Sequence, residues 1–125
     1  MSAKKRILLV DDEATITRTL KLYLEGTGAY EVRAENRGSA ALQAAREFKP
    51  DLILLDVAMP DMDGGEVAAQ LRADDVLKGT PIVFLTALVK KQEVVTSGGD
   101  IGGYPYIAKP IEPEKIIEVI EHHTS

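Results

Sequence analysis

Three short runs of this chain are apolar at every position: Ile7-Leu8-Leu9-Val10, Leu52-Ile53-Leu54-Leu55 and Ile82-Val83-Phe84-Leu85. A strand with one wet face alternates apolar and polar residues. Unbroken runs of this length, bounded by Asp or Pro, instead fit strands covered on both faces, as in a parallel sheet. Tyr30 to Ala34 and Pro105 to Ala108 are two further strand candidates, which brings the expected total to five. Between the strands the spacing becomes helical. Thr15 to Glu25 puts Ile16, Leu20 and Leu24 on one face with Tyr23 beside them, and Ser39 to Phe48 gathers Ala41, Ala44, Ala45 and Phe48. Gly38-Ser39 is the predicted N-cap of that second helix. A third helix, from about Gly65 to Ala73, would bury Val67, Ala68 and Leu71. The last, from Pro113 to about His122, would bury Ile116, Ile117 and Ile120 and carries Pro and Glu in its first turn. Lys90 to Ser97, with adjacent valines and a Ser97-Gly98-Gly99 end, is expected to form only a short or mobile fourth helix. The alternation reads as an α/β fold: a doubly wound (βα)5 unit with an open parallel sheet and helices on both faces.

Composition narrows the function classes. Twenty Asp and Glu against 15 Lys and Arg leave a net charge of -5, the opposite of the balance expected for a phosphate-backbone binder. No direct nucleic-acid ligand is expected. Cysteine is absent, which excludes disulfides, a thiolate nucleophile and Cys-ligated metals. The basic start Met1 to Arg6 precedes an apolar run of only four residues, too short for a signal peptide, and no run approaches a membrane span. The expectation is one cytoplasmic domain over residues 1–125, with no membrane association and no internal repeat or linker.

In such a fold, ligands sit at the carboxyl ends of the strands. The residues after the apolar runs are Asp11, Asp12 and Glu13; then Asp56; then Thr86 and Ala87; and, after the last strand, Lys109 and Pro110. Any one of these has a bland explanation, since strands turn polar where they leave the core and Asp is a common turn former. The set is harder to dismiss. Like charges a few ångströms apart repel by roughly a few kcal/mol at an effective dielectric near ~20, so gathering Asp11, Asp12 and Asp56 costs stability unless a cation joins them. An all-oxygen donor set favours Mg²⁺ or Mn²⁺ over zinc. A metal, the Lys109 ammonium and the Thr86 hydroxyl around one carboxylate would clamp three phosphoryl oxygens, which suits Asp56 as a nucleophile forming an acyl phosphate.

These residues, at these spacings, resemble the receiver domain of two-component response regulators, of the single-domain CheY-like kind. The resemblance covers essentially all 125 residues. It runs through Ile7 to Glu13, Leu54-Leu55-Asp56-Val57-Ala58-Met59-Pro60-Asp61-Met62-Asp63-Gly64, Phe84-Leu85-Thr86-Ala87 and Tyr106-Ile107-Ala108-Lys109-Pro110. It implies a flavodoxin-like sheet of order 2-1-3-4-5. It implies that Asp56 takes a phosphoryl group from a phosphohistidine on a sensor histidine kinase or phosphotransfer protein. Asp11, Asp12, Asp56 and the backbone carbonyl of Ala58 would hold Mg²⁺, and Thr86 and Lys109 would bind phosphoryl oxygens. Lys109-Pro110 would be a cis peptide. Phosphorylation would draw Thr86 inward with Tyr106 filling the vacated space, altering the surface of the fourth helix, fifth strand and fifth helix. That surface would serve a downstream protein partner or an output domain. The protein would then be a signalling domain rather than an enzyme with a small-molecule substrate. Pro60 would stiffen the loop after the nucleophile, and Gly64 would permit backbone geometry that other residues resist.

Three features depart from the family pattern. Ser97 to Pro105 carries four glycines where a firmer helix end is usual. Ala58 and Leu88, two residues after Asp56 and Thr86, are apolar and cannot orient an attacking water, which implies slow self-dephosphorylation. The sequence stops soon after the last helix, so no output domain is expected within it. His122 and His123 are adjacent and cannot share a metal as an i, i+4 pair could, so neither is assigned a site. Three other functions remain in view. A haloacid-dehalogenase-like phosphatase needs a second Asp where Ala58 stands. A flavin carrier needs a phosphate cradle where Asp11-Asp12-Glu13 stands. A degenerate receiver would lack part of the set Asp12, Asp56, Thr86 and Lys109, which is complete.

Overall fold

The fold is described from a computed structural model covering residues 4–86, 100–101 and 104–124. In chain order the elements are β1 (Lys5–Val10), α1 (Ala14–Gly26), β2 (Tyr30–Glu35), a 3₁₀ turn (Gly38–Ala40) running into α2 (Ala41–Phe48), β3 (Leu52–Asp56) and α3 (Gly64–Ala73). They continue with β4 (Ile82–Thr86), β5 (Asp100–Ile101), β6 (Tyr104–Ala108) and α4 (Pro113–Thr124). The five longer strands pair in parallel in the order β2-β1-β3-β4-β6, the expected 2-1-3-4-5 arrangement. The predicted helix over Lys90–Ser97, together with Leu88, lies outside the described residues.

The apolar runs are unbroken because both faces of each strand are covered. Leu8, Val10, Ile53, Leu55 and Phe84 point to one side, where they meet Ala41, Ala44 and Ala45 of α2 and Val67, Ala68 and Leu71 of α3. Ile7, Leu9, Leu52, Leu54, Val83 and Leu85 point to the other and meet Leu20 and Leu24 of α1 and Ile116 and Ile120 of α4. The period-two alternation of a strand sends successive residues to opposite cores. Ile16, Tyr23, Phe48 and Ile117 reach these cores only at their margins.

Several boundaries differ from the sequence expectation. The sheet has a sixth member, because β5 pairs antiparallel with the start of β6, Asp100 opposite Pro105 and Ile101 opposite Tyr104. A two-residue strand has no periodicity to read. Ser39 does not cap α2. Helix α2 has no side-chain cap; the Asp61 carboxylate instead caps the 3₁₀ turn before it, accepting from Gly38 N at 3.1 Å and Ser39 N at 3.0 Å. Helix α3 starts one residue earlier than predicted, capped by Asp63, whose Oδ1 accepts from Glu66 N at 2.9 Å. Gly64 is required for space rather than for an unusual backbone angle. A Cβ there would sit 2.6 Å from the Asp56 carbonyl oxygen and 2.9 Å from Val57 Cα, so α3 approaches the backbone of Asp56 itself.

Candidate functional site

Strand register assembles the site. Val10 pairs with Leu55, so Asp11 and Asp56 leave the sheet side by side. Asp56 pairs with Leu85, placing Thr86 at the next strand end, and Thr86 pairs with Ala108, placing Lys109 one step beyond. The Lys109–Pro110 peptide is cis, and Lys109 N donates to the Thr86 carbonyl at 2.8 Å. Asp11, Asp56 and Thr86 are buried, with 0%, 4% and 2% of their surface exposed, while Asp12 is exposed. These are the polar residues that the described fold buries besides Thr17.

One carboxylate oxygen from each of Asp11, Asp12 and Asp56 falls within 4.8 Å of the others. The Lys109 ammonium reaches the same point, 2.9 Å from Asp11 Oδ2, 2.9 Å from Glu13 Oε1 and 3.5 Å from Asp56 Oδ1. Burial, then the negative charge of Asp11, push the Asp56 carboxyl up to about 6, against the opposing pull of Lys109. Burial works to lower the Lys109 ammonium, but its hydrogen bond to Glu13, its close contact with Asp11 and the charges of Asp11 and Asp56 more than offset it, and the group stays protonated well above its ordinary range.

The residues fit a hard divalent cation. Asp11 Oδ2 is fully buried, and the Lys109 ammonium meets it as an ion pair without hydrogen-bond geometry, so the oxygen keeps an unsatisfied acceptor. The donors are carboxylate oxygens, with no His or Cys in the group. A cation bound by Asp11, Asp12 and Asp56 would supply the positive charge that one lysine does not.

Two contributors carried no signal in the sequence. Glu13 was read only as part of an acidic run, yet it hydrogen-bonds Lys109 Nζ from the N-cap position of α1. Asn36 Nδ2 donates to the Asp11 carbonyl at 2.8 Å and to Thr17 Oγ1 at 3.0 Å, tying the end of β2 to the acidic corner. Both contacts join segments distant in sequence, so no local spacing announces them. Tyr106 lies on β6 opposite Phe84 and is half-buried beside the core. Ala58 and Pro60 occupy the loop between Asp56 and α3, both exposed. His122 and His123 touch edge to face at a centroid distance of 4.8 Å, away from this corner on the last turn of α4.

A family model described as the response regulator receiver domain matches residues 7–121. Over 114 residues the chain is 41% identical to the DNA-binding response regulator MtrA of Mycobacterium tuberculosis, covering 91% of this chain and 48% of that protein. It is 41% identical over 112 residues to the alkaline phosphatase synthesis transcriptional regulatory protein PhoP of Bacillus subtilis, covering 90% of this chain and 45% of that protein. The chain thus spans about half the length of these curated relatives. Among solved structures it is similar to the Vibrio cholerae chemotaxis protein CheY4, with TM-score 0.81, 32% identity and coverage of 96% and 98% of the two chains. It is also similar to the BeF3-activated receiver domain of Klebsiella pneumoniae RstA, with TM-score 0.79, 30% identity and coverage of 96% and 98%.

Proposed function

The chain belongs to the response regulator receiver domain family of two-component signalling, and from that premise we propose that Asp56 is its phosphoryl acceptor, with Mg²⁺ held by Asp11, Asp12, Asp56 and the Ala58 carbonyl. The donor would be a phosphohistidine on a sensor histidine kinase or phosphotransfer protein. The observation that carries this reading is the meeting of three carboxylates within 4.8 Å with a lysine ammonium that touches two of them.

The chemistry follows from the environment of each group. An ionised Asp56 oxygen attacks phosphorus. The new P–O bond forms as the P–N bond to the donor imidazole breaks, and the electron pair of that bond stays on the imidazole nitrogen. A carboxyl held up to about 6 is largely ionised at neutral pH, yet remains more basic than an exposed aspartate. The bound cation would neutralise the clustered carboxylates and coordinate a phosphoryl oxygen. Lys109, gripped by Asp11 and Glu13, presents a fixed positive charge 3.5 Å from Asp56, within reach of a second phosphoryl oxygen. Thr86 ends β4 beside the acceptor and supplies the hydroxyl for a third. Its inward movement, with Tyr106 following, would carry the signal to the surface bearing β6 and α4, where a downstream protein or output domain would read it. Ala58, being apolar, orients no water toward the acyl phosphate, so hydrolysis should be slow.

Incubation with acetyl phosphate and Mg²⁺ tests the reading. The expected result is a mass gain of one phosphoryl group, dependent on Mg²⁺ and absent in Asp56→Asn. No gain in the unsubstituted chain, or an equal gain in Asp56→Asn, overturns it.

A further inference from the structure

The loop from Val57 to Asp63 is fastened at both ends. At the sheet end, Val57 N donates to the Leu85 carbonyl at 3.1 Å and Gly64 N donates back to the Val57 carbonyl at 2.7 Å. At the outer end the fastening is Asp61. Its Oδ1 accepts from Gly38 N at 3.1 Å and its Oδ2 from Ser39 N at 3.0 Å, a two-pronged hold on a turn 22 to 23 residues earlier in the chain. That turn has no cap of its own, since neither Arg37 nor Ala40 makes a side-chain capping bond. Its orphan amides are therefore satisfied only from across the loop. The contact is also close. A Cβ on Gly38 would lie 2.8 Å from the Met62 carbonyl oxygen and 3.2 Å from Met59 Cε, so glycine lets the loop settle onto the turn. Met59 is buried in the core, which leaves Ala58 on the short span between the Val57 anchor and Met59. The Ser39 amide, then the Ser39 hydroxyl and the Gly38 amide, hold the exposed Asp61 carboxyl down to about 2.

Met59 and Met62 pack the loop against the core, but its hydrogen-bonded hold on the turn before α2 comes from one side chain. We infer that Asp61 is a positioning residue for the cation site, which by gripping Gly38 and Ser39 keeps the Ala58 carbonyl available to a cation held by Asp11, Asp12 and Asp56. This rests on the proposed Mg²⁺ site. Asp61 touches neither the acceptor nor the cation in this account, and acts through the loop backbone. The second consequence is mechanical: the start of α2 and the acceptor loop move as one piece.

The test is a Mg²⁺ titration of the full chain, followed by amide NMR shifts of residues 57–63, for the unsubstituted protein, Asp61→Ala and Asp61→Asn. Supporting groups of this kind change metal affinity by about tenfold or more. Asp61→Ala is expected to weaken Mg²⁺ binding by about that factor, with faster hydrogen exchange at the Gly38 and Ser39 amides. Asp61→Asn keeps one acceptor oxygen and should fall between the two. Loss of a nearby negative charge alone would also weaken binding, but at ~1 M KCl the screening length drops to about 3 Å and such a difference would vanish. A difference that survives high salt supports the positioning role. Undiminished binding in Asp61→Ala, or a loss abolished by salt, overturns the positioning role while leaving the Asp56 reading intact. An unsubstituted chain that binds no Mg²⁺ overturns both.

Discussion

Strands β3 and β4 are buried at every position, but burial has opposite consequences at their middles and at their carboxyl ends. Leu54 and Leu55 are 0% exposed and Asp56, the next residue, is 4% exposed. For the leucines, removal from water is the main stabilising term. For the aspartate it is a penalty, visible in a carboxyl that resists ionisation until about pH 6. The same contrast separates two groups of ion pairs. Lys109 and its partners Asp11 and Asp56 have side chains 10%, 0% and 5% exposed, whereas Lys5 and Glu121, paired at 3.0 Å, are 32% and 52% exposed. The first set leaves an excess of buried negative charge; the second is a solvated pair bridging β1 and α4. A sheet edge that retains unfavourable charge is where a functional site is expected rather than a stabilising one.

Four substitutions probe that contrast, in descending order of expected effect. Leu54→Ala, in the middle of β3, should lower unfolding free energy by about 2–5 kcal/mol by leaving a cavity against α1 and α4, measured by urea denaturation. Lys109→Met strips the carboxylates of their cation. It should destabilise the Mg²⁺-free protein at neutral pH by about 1–3 kcal/mol, less than for a fully enclosed pair because Asp12 is open to solvent. The loss should shrink as pH falls below about 6, where Asp56 takes up a proton.

Asp56→Asn should act in the opposite direction, stabilising the Mg²⁺-free protein at pH 7 by about 1 kcal/mol. The sign follows from linkage. The folded-state value of Asp56, about 6, lies above the ordinary 3.8, so the folded state binds the extra proton between them and stability falls as pH rises from about 4 to about 6. Thermal melts across that range should show the slope in the parent and its reduction in Asp56→Asn. Added Mg²⁺ should raise the melting temperature of the parent more than that of the variant. A destabilised Asp56→Asn would break the comparison, because it would show the carboxylate to be a net structural asset. Lys5→Ala should have the smallest effect, within about 1 kcal/mol and fading in high salt, as for other exposed pairs.

Much of this contrast was legible in the order of residue types. The apolar runs announced strands covered on both faces, and an aspartate or threonine directly after each run announced where the chemistry would sit. What stayed hidden were contacts between segments far apart in sequence. Asp61 caps the turn before α2, where Gly38-Ser39 was expected to cap the helix itself, and Glu13 grips Lys109 from 96 residues away. Gly64 was recognisable as a required glycine, but its reason, the approach of α3 to the Asp56 backbone, is a distance between two elements and has no sequence signature. The short β5 has too few residues to carry a pattern.

The sequence by itself determined the alternating elements, the two-sided sheet and the kinds of group at its edge, because periodicity and residue chemistry are local properties. Only the tertiary structure decided which of those groups meet. The register of β1, β3, β4 and β6 brings Asp11, Asp56, Thr86 and Lys109 to one corner. There, exclusion of water raises the Asp56 carboxyl and leaves a buried Asp11 oxygen unsatisfied, because the strength of a charge's interactions is set by its surroundings rather than by its identity.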